Sequence, residues 1–180
     1  MSAASPALEV GAWVAGAWHT GVNPMPVVDV DDGSIVAFAT STSPALLQQA
    51  IKSAKAAAPA LAALPSHARG EVLMRAAARV ESERGIFAQW ICREGVKTIR
   101  EAELEAARCV RTLRLCAGLV EGPLGETLPL DTRPGLEGRM GAWYRRPSGT
   151  VVAITPFNDP LNLVAHKVGP AIAVGAPVLL

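Results

Sequence analysis

Apolar residues recur along this chain with two different periods, and the change of period marks its organisation. Residues 1–9 read as a loose lead. Trp13–Trp18 and Val27–Ala39 read as short strands, and Asp32-Gly33 between VVDV and SIVAF predicts a two-residue hairpin turn. A helical period follows. Ser43 with Pro44 reads as an N-cap with proline at the first helical position, Leu47, Ala50, Ile51, Ala54 and Ala58 form a stripe, and Pro59 is expected to stop it. Ser66 is expected to cap a second helix with Leu73, Ala76, Ala77 and Val80 inward. Ile86, Phe87, Trp90 and Ile91 mark a third. Thr98 and Glu101 have capping-box spacing, in which each side chain satisfies the other's backbone N–H. The helix they open carries Ile99, Ala102, Ala106, Val110, Leu113 and Ala117 on one face, and Gly118 suits its C-terminal stop.

The pattern changes again after Glu121. Residues 121–134 read as an irregular connection, and 139–146 as a strand. Thr150–Ile154 is a continuous apolar run, suited to a strand buried on both faces. Pro160 opens a helix of about 15 residues that closes near Gly175, and Pro177–Leu180 starts another strand. Strand, helix, strand is a βαβ crossover, which pairs its strands in parallel. Two strands do not make a stable sheet, so a doubly wound sheet needs more than this sequence supplies.

Composition narrows the class. Of 180 residues, 50% are hydrophobic and 18% charged, which excludes a disordered chain. A mean hydropathy of +0.27 implies either a large core or apolar surface awaiting a cover. The formal net charge of +1 gives no single-sign field for nucleic acid. The first basic residue is Lys52, so the N-terminus lacks the charged start of a secretory signal. The most apolar stretch, 150–180, is broken by Asp159, His166, Lys167 and four prolines, which argues against a membrane span. These features point to the cytoplasm. Cys92, Cys109 and Cys116 form no CxxC pair and read as buried free thiols. Asp29, Asp31 and Asp32 lack the spacing and closing glutamate of a calcium loop.

One segment carries more than periodicity. ITPFNDPL at 154–161, continuing as NLVAHKVGPAIAVGAPVLL, resembles the NAD(P)-dependent aldehyde dehydrogenase superfamily, in which a strand ends in an apolar residue, proline, an aromatic and asparagine before a lysine-bearing helix. EGVKTIREAELEAARCVRTLRLCAG at 94–118 is similar to that family's Glu-x-Gly-Lys-like helix junction, and Val27–Ala39 to its early hairpin. The resemblance covers nearly the whole chain and implies the N-terminal portion of an α/β fold, helices plus an incomplete Rossmann-like parallel sheet. It divides the chain into 1–120, hairpin and helical part of the cofactor-binding domain; 121–147, a connection with an oligomerisation strand; and 148–180, the first βαβ unit.

The resemblance also implies roles. Taken alone, Asn158-Asp159-Pro160 reads as a turn. The flanking match makes Asn158 the amide donor to an oxyanion formed when a cysteine attacks an aldehyde. Its side chain offers two N–H donors and no titratable proton. Ile154, Thr155, Pro156 and Phe157 would line the cleft for NAD or NADP. Lys167 is either a solvated helix lysine or one that steers protons or water, and His166 a packing or surface residue. Asp159 stands where many relatives carry an aromatic, which implies a more polar substrate channel, with Leu163 on the same side. The expected reaction oxidises a small aldehyde, in a homo-oligomer when full length. The family's glutamate base and nucleophilic cysteine are expected beyond Leu180, so the chain alone is expected to be inactive. The other reading is a non-catalytic interaction protein derived from the same fold.

Overall fold

The computed structural model describes residues 8–180. Most of the reading of 1–9 as a lead therefore lies outside the described residues, but Leu8 and Glu9 belong to a strand. This strand, β1 (Leu8–Val10), precedes β2 (Ala12–Val14) and β3 (Ala17–His19), which form a tight antiparallel hairpin. Its two turn residues, Ala15 and Gly16, have φ of 53° and 82°, the sense such a turn demands. Trp13 and Trp18 face each other across it edge-on, with centroids 5.3 Å apart.

β4 (Val22–Val28) and β5 (Ile35–Ser41) pair antiparallel, and β1 adds in parallel to β5. The connection is wider than the expected two residues, running from Asp29 to Ser34. Asp29 Oδ1 accepts the Asp31 N–H at 3.1 Å and Asp32 Oδ1 accepts the Ser34 N–H at 2.8 Å. These local side-chain bonds compete with a tight Asp-Gly turn and open the loop.

Four helices follow. Ser43 caps α1 (Pro44–Ala63), accepting the Leu46 N–H. The helix runs through Pro59 rather than ending there. Pro59 is exposed, and flanking alanines of high helix propensity carry the turn onward. Leu46, Ala50 and Ala54 are its buried stripe, while Leu47 is 48% exposed. In α2 (Ser66–Ser82) the residue at the cap is Pro65, and the Ser66 hydroxyl instead accepts from Arg69 at 3.1 Å. In α3 (Arg84–Glu94) the inward residues are Ala88 and Ile91 rather than Ile86. The Thr98–Glu101 capping box opens α4 (Ile99–Gly118) as expected. Gly118 is not a left-handed stop: it is helical at φ −67°, and the chain tightens into a 3₁₀ turn over Leu119–Glu121.

α4 is the centre of the molecule. Its buried Cys109, Val110, Leu113, Cys116 and Ala117 pack with Leu73 and Ala77 of α2, while Ala102 meets Ala88 and Ile91 of α3. Beyond it, the connection is less irregular than the sequence suggests, because β6 (Gly125–Pro129) pairs antiparallel with β7 (Met140–Tyr144). β6 is exposed along most of its length, so no alternation betrays it.

The last unit is the expected crossover. β8 (Val151–Val152) leads through a loop to α5 (Asn162–Val174), Gly175 ends α5 at φ 84°, and β9 (Val178–Leu179) pairs parallel with β8. The Val151 and Ala153 N–H groups reach Pro177 and Leu179 at 2.8 and 2.7 Å. Burial on both faces is not found. Ala153 is buried, but Val152 and Ile154 are 68% and 82% exposed, because within this chain only one side of the strand is covered.

Candidate functional site

The loop 154–161 leaves the carboxyl end of β8 and enters α5. Ile154, Pro156, Phe157 and Asn158 are exposed, Phe157 at 94%, while Thr155, Asp159 and Leu163 are half-buried. Asn158 is thus an exposed residue rather than part of the packed interior. Lys167 is exposed on α5, and among the described residues no hydrogen bond or ion pair joins it to the loop. His166 is also exposed and approaches the Thr112 hydroxyl at 3.5 Å.

What holds the loop comes from α4 and the turn before it. Glu105, fully buried on the inner face of α4, accepts the Leu161 and Asn162 N–H groups at 2.9 and 3.1 Å through Oε1. Its other oxygen takes the Lys97 ammonium at 2.5 Å. Lys97 also donates to Asp159, and Arg108 reaches the same Asp159 oxygen at 3.1 Å. Two carboxylates therefore share two cations, and Asp159 is not a bare acid. The Lys97 hydrogen bond holds the Asp159 carboxyl below the usual carboxylate range against partial burial, with the Lys97 and Arg108 charges assisting. Burial opposes the Lys97 ammonium, but Asp159 and Glu105 outweigh it and raise its pKa. The Thr112 hydroxyl donates to Asn162 Oδ1 at 3.0 Å, extending the polar seam between α4 and α5.

Sequence reasoning missed Lys97, Glu105 and Arg108. Glu105 had a visible signal: it falls three residues after Ala102 and four before Cys109, on the apolar stripe, where a charge requires a partner. Two of the three cysteines are as expected and Cys92 is less buried than expected. Cys109 and Cys116 are buried free thiols and Cys92 is half-buried. Burial, aided by the Glu105 charge, pushes the Cys109 thiol up to about 11. Among the described residues no cluster of His, Cys, Asp and Glu forms a metal site, and no helix is long and apolar enough to cross a membrane.

A strand, a loop, a helix and a second strand parallel to the first are the unit from which open α/β sheets are built, and this places the chain in that fold class. The sequence model of the aldehyde dehydrogenase family matches residues 18–180, and the chain belongs to that family. Aspartate-semialdehyde dehydrogenase 1 of Pseudomonas canavaninivorans is 44% identical over 154 residues, covering 86% of this chain and 33% of that protein. The 3-sulfolactaldehyde dehydrogenase of Priestia aryabhattai is 37% identical over 172 residues, covering 96% of this chain and 36% of that protein. Aldehyde dehydrogenase 21 of Physcomitrella patens, solved with its reaction product succinate, superposes with a TM-score of 0.91 at 32% identity, over 97% of this chain and 36% of that one. Other structural neighbours were solved with nicotinamide adenine dinucleotide or with NADP. The chain spans about a third of the length of the curated relatives it matches.

Proposed function

We propose that this chain supplies the oxyanion donor and one wall of the cofactor cleft in an enzyme that oxidises an aldehyde to a carboxylic acid with NAD or NADP. The observation that carries the reading is the exposed Asn158 in a loop that leaves a strand end and whose following residues are pinned. An uncharged donor in that position stabilises negative charge on the reacting oxygen without competing as an acid.

The residues present fit a dinucleotide. Ile154 and Phe157 offer exposed apolar surface at the strand ends, with Thr155 and Pro156 between them. The first N–H groups of α5 are already taken by Glu105, so this helix start is not the seat of the pyrophosphate. Overall, an aldehyde and water become a carboxylate and two protons, and NAD(P)⁺ when bound supplies the hydride acceptor. Asp159 and Leu163 follow on the substrate side, and Lys167 steers protons or water. The nucleophile is not Cys109, whose buried thiol is held protonated at neutral pH.

An aldehyde bearing an anionic group is the favoured substrate class. Two of the relatives are named for acidic aldehydes, and a structural neighbour was solved with a dicarboxylate. Exposed Met140 and Tyr144 on β7 support an assembly surface in a homo-oligomer. The test is Asn158→Ala in the complete enzyme, reading NAD(P)H formation from anionic and neutral aldehydes. A loss of roughly 10²–10³ in kcat is expected. An unchanged kcat would remove Asn158 from the mechanism.

A further inference from the structure

Three of the four residues that follow Asn158 are held by one connected set of charges. Lys97 lies in the turn between α3 and α4, 62 residues earlier in the chain, with its side chain 20% exposed. It bridges the buried Glu105 carboxylate at 2.5 Å and the Asp159 carboxylate. Glu105 in turn receives the N–H groups of Leu161 and Asn162. Asp159 is therefore held by its side chain, and residues 161 and 162 by their backbone. Asn158 adjoins this anchored stretch on one side, while residues 154–157 on the other belong to no strand.

We propose that Lys97 is a positioning residue for the reaction: by tying Glu105 to Asp159 it fixes the place from which Asn158 presents its amide. This rests on the oxyanion role given to Asn158 above. Arg108 cannot replace Lys97, because it contacts Asp159 and not Glu105. Without the ammonium, the buried Glu105 carboxylate loses its charge partner, so its grip on the Leu161 and Asn162 N–H groups weakens along with its link to Asp159, and the loop gains freedom where its donor must be fixed. A misplacement of about 1 Å at such a site costs on the order of 10²-fold in rate.

The experiment is a double-mutant cycle in the complete enzyme, combined with hydrogen exchange of the backbone amides of Asp159 and of residues 161–163. Lys97→Met is expected to lower kcat roughly 10²-fold, to leave KM for NAD(P) little changed, and to speed exchange at Leu161 and Asn162. Lys97→Arg, which keeps the charge, is expected to recover most of the rate. In an Asn158→Ala background, Lys97→Met is expected to cost less than about 3-fold, because its effect passes through the amide already removed. An equal loss in both backgrounds, or unchanged exchange at 161 and 162, overturns the proposal. If Asn158→Ala alone leaves kcat intact, the oxyanion reading fails, and the exchange data still decide whether Lys97 orders the loop. Should Lys97→Met not fold, Asp159→Ala removes both acceptor oxygens and so cuts the same link while leaving the Lys97–Glu105 pair, and the same cycle applies.

Discussion

Glu105 Oε1 accepts the backbone N–H of Asn162 at 3.1 Å, so a buried carboxylate on α4 caps α5 from 57 residues away. The positive end of the helix dipole receives a negative charge there, and two otherwise unpaired N–H groups are satisfied. Removing this carboxylate strands the Leu161 and Asn162 donors and takes the Lys97 ammonium's buried partner. Glu105→Ala is expected to destabilise the chain by about 3–5 kcal/mol, measured as a fall in urea midpoint at constant slope. A change below about 1 kcal/mol would mean that water replaces the cap at no cost.

The opposite end of α5 is held by the opposite charge. Arg69, buried on α2, donates through Nε to the Ala173 carbonyl at 2.9 Å and also to the Leu64 carbonyl. Arg69, Glu105 and Asn162 are the buried polar or charged residues of the described chain, and each is part of α5 or bonds to it. Arg69→Met is expected to cost about 1.5–3 kcal/mol, with faster hydrogen exchange confined to the last turn of α5 and the α1–α2 junction. The two ends lie roughly 20 Å apart, so the losses from Arg69→Met and Glu105→Ala should add.

This pinning explains what could and could not be read in advance. The βαβ unit was legible because its signals are local: an apolar strand, Pro160, and Gly175 in the left-handed conformation. The Thr98–Glu101 box was legible for the same reason, its two members lying one turn apart. The passage of α1 through Pro59 was not, since tolerance depends on which face is exposed. Nor was β6, whose partner strand β7 sets it and whose exposed residues give no period. In the candidate site the motif located Asn158, but not what anchors its loop. Lys97 and Asp159 stand 62 positions apart, and only folding brings them together.

Stability should respond to pH in two separate limbs. Asp159 has its carboxyl pKa lowered from 3.8, chiefly by the Lys97 hydrogen bond, so its contribution is present above 3.8 and lost as pH falls through the lower folded value. Lys97 is raised above 10.5 despite burial, so its contribution is present below 10.5 and lost as pH rises through the higher folded value. The stability difference between wild type and Asp159→Asn should therefore be flat from about pH 5 to 9, shrink in acid below that range as Asp159 is protonated, and shrink again in alkali as Lys97 loses its proton. Urea midpoints across pH measure it. A step near neutrality would show that another group governs the network.

Thiol labelling should separate the three cysteines. Only a thiolate attacks a disulfide reagent. Cys109 is 2% exposed and its pKa stands at about 11, which leaves a thiolate fraction of about 10⁻³ at pH 8. Burial also raises Cys116. Cys92 is half-buried and donates to the Lys97 carbonyl at 3.2 Å. Mass spectrometry after brief labelling at pH 8 should find reagent on Cys92 first, and on Cys109 and Cys116 only under unfolding conditions. Early labelling of Cys109 would mean that α4 opens locally near the candidate site.

The spacing of α4 and α5 can be tested through a change of sign. A Cβ added at Gly169 would stand 2.8 Å from Cys116 Sγ and 3.3 Å from its Cβ, inside normal contact. Alanine favours a helix over glycine by up to about 1 kcal/mol, but overpacking a core typically costs about 1–3 kcal/mol. Gly169→Ala alone should therefore destabilise. In a Cys116→Ala background the sulfur is gone, and the same substitution should become neutral or stabilising. The contact fixes the separation at which Thr112 Oγ1 reaches Asn162 Oδ1 at 3.0 Å, so Gly169→Ala should also weaken hydrogen-exchange protection at the start of α5. If it destabilises equally in both backgrounds, the sulfur is not the obstacle, and the close approach of these helices does not set the geometry of the loop.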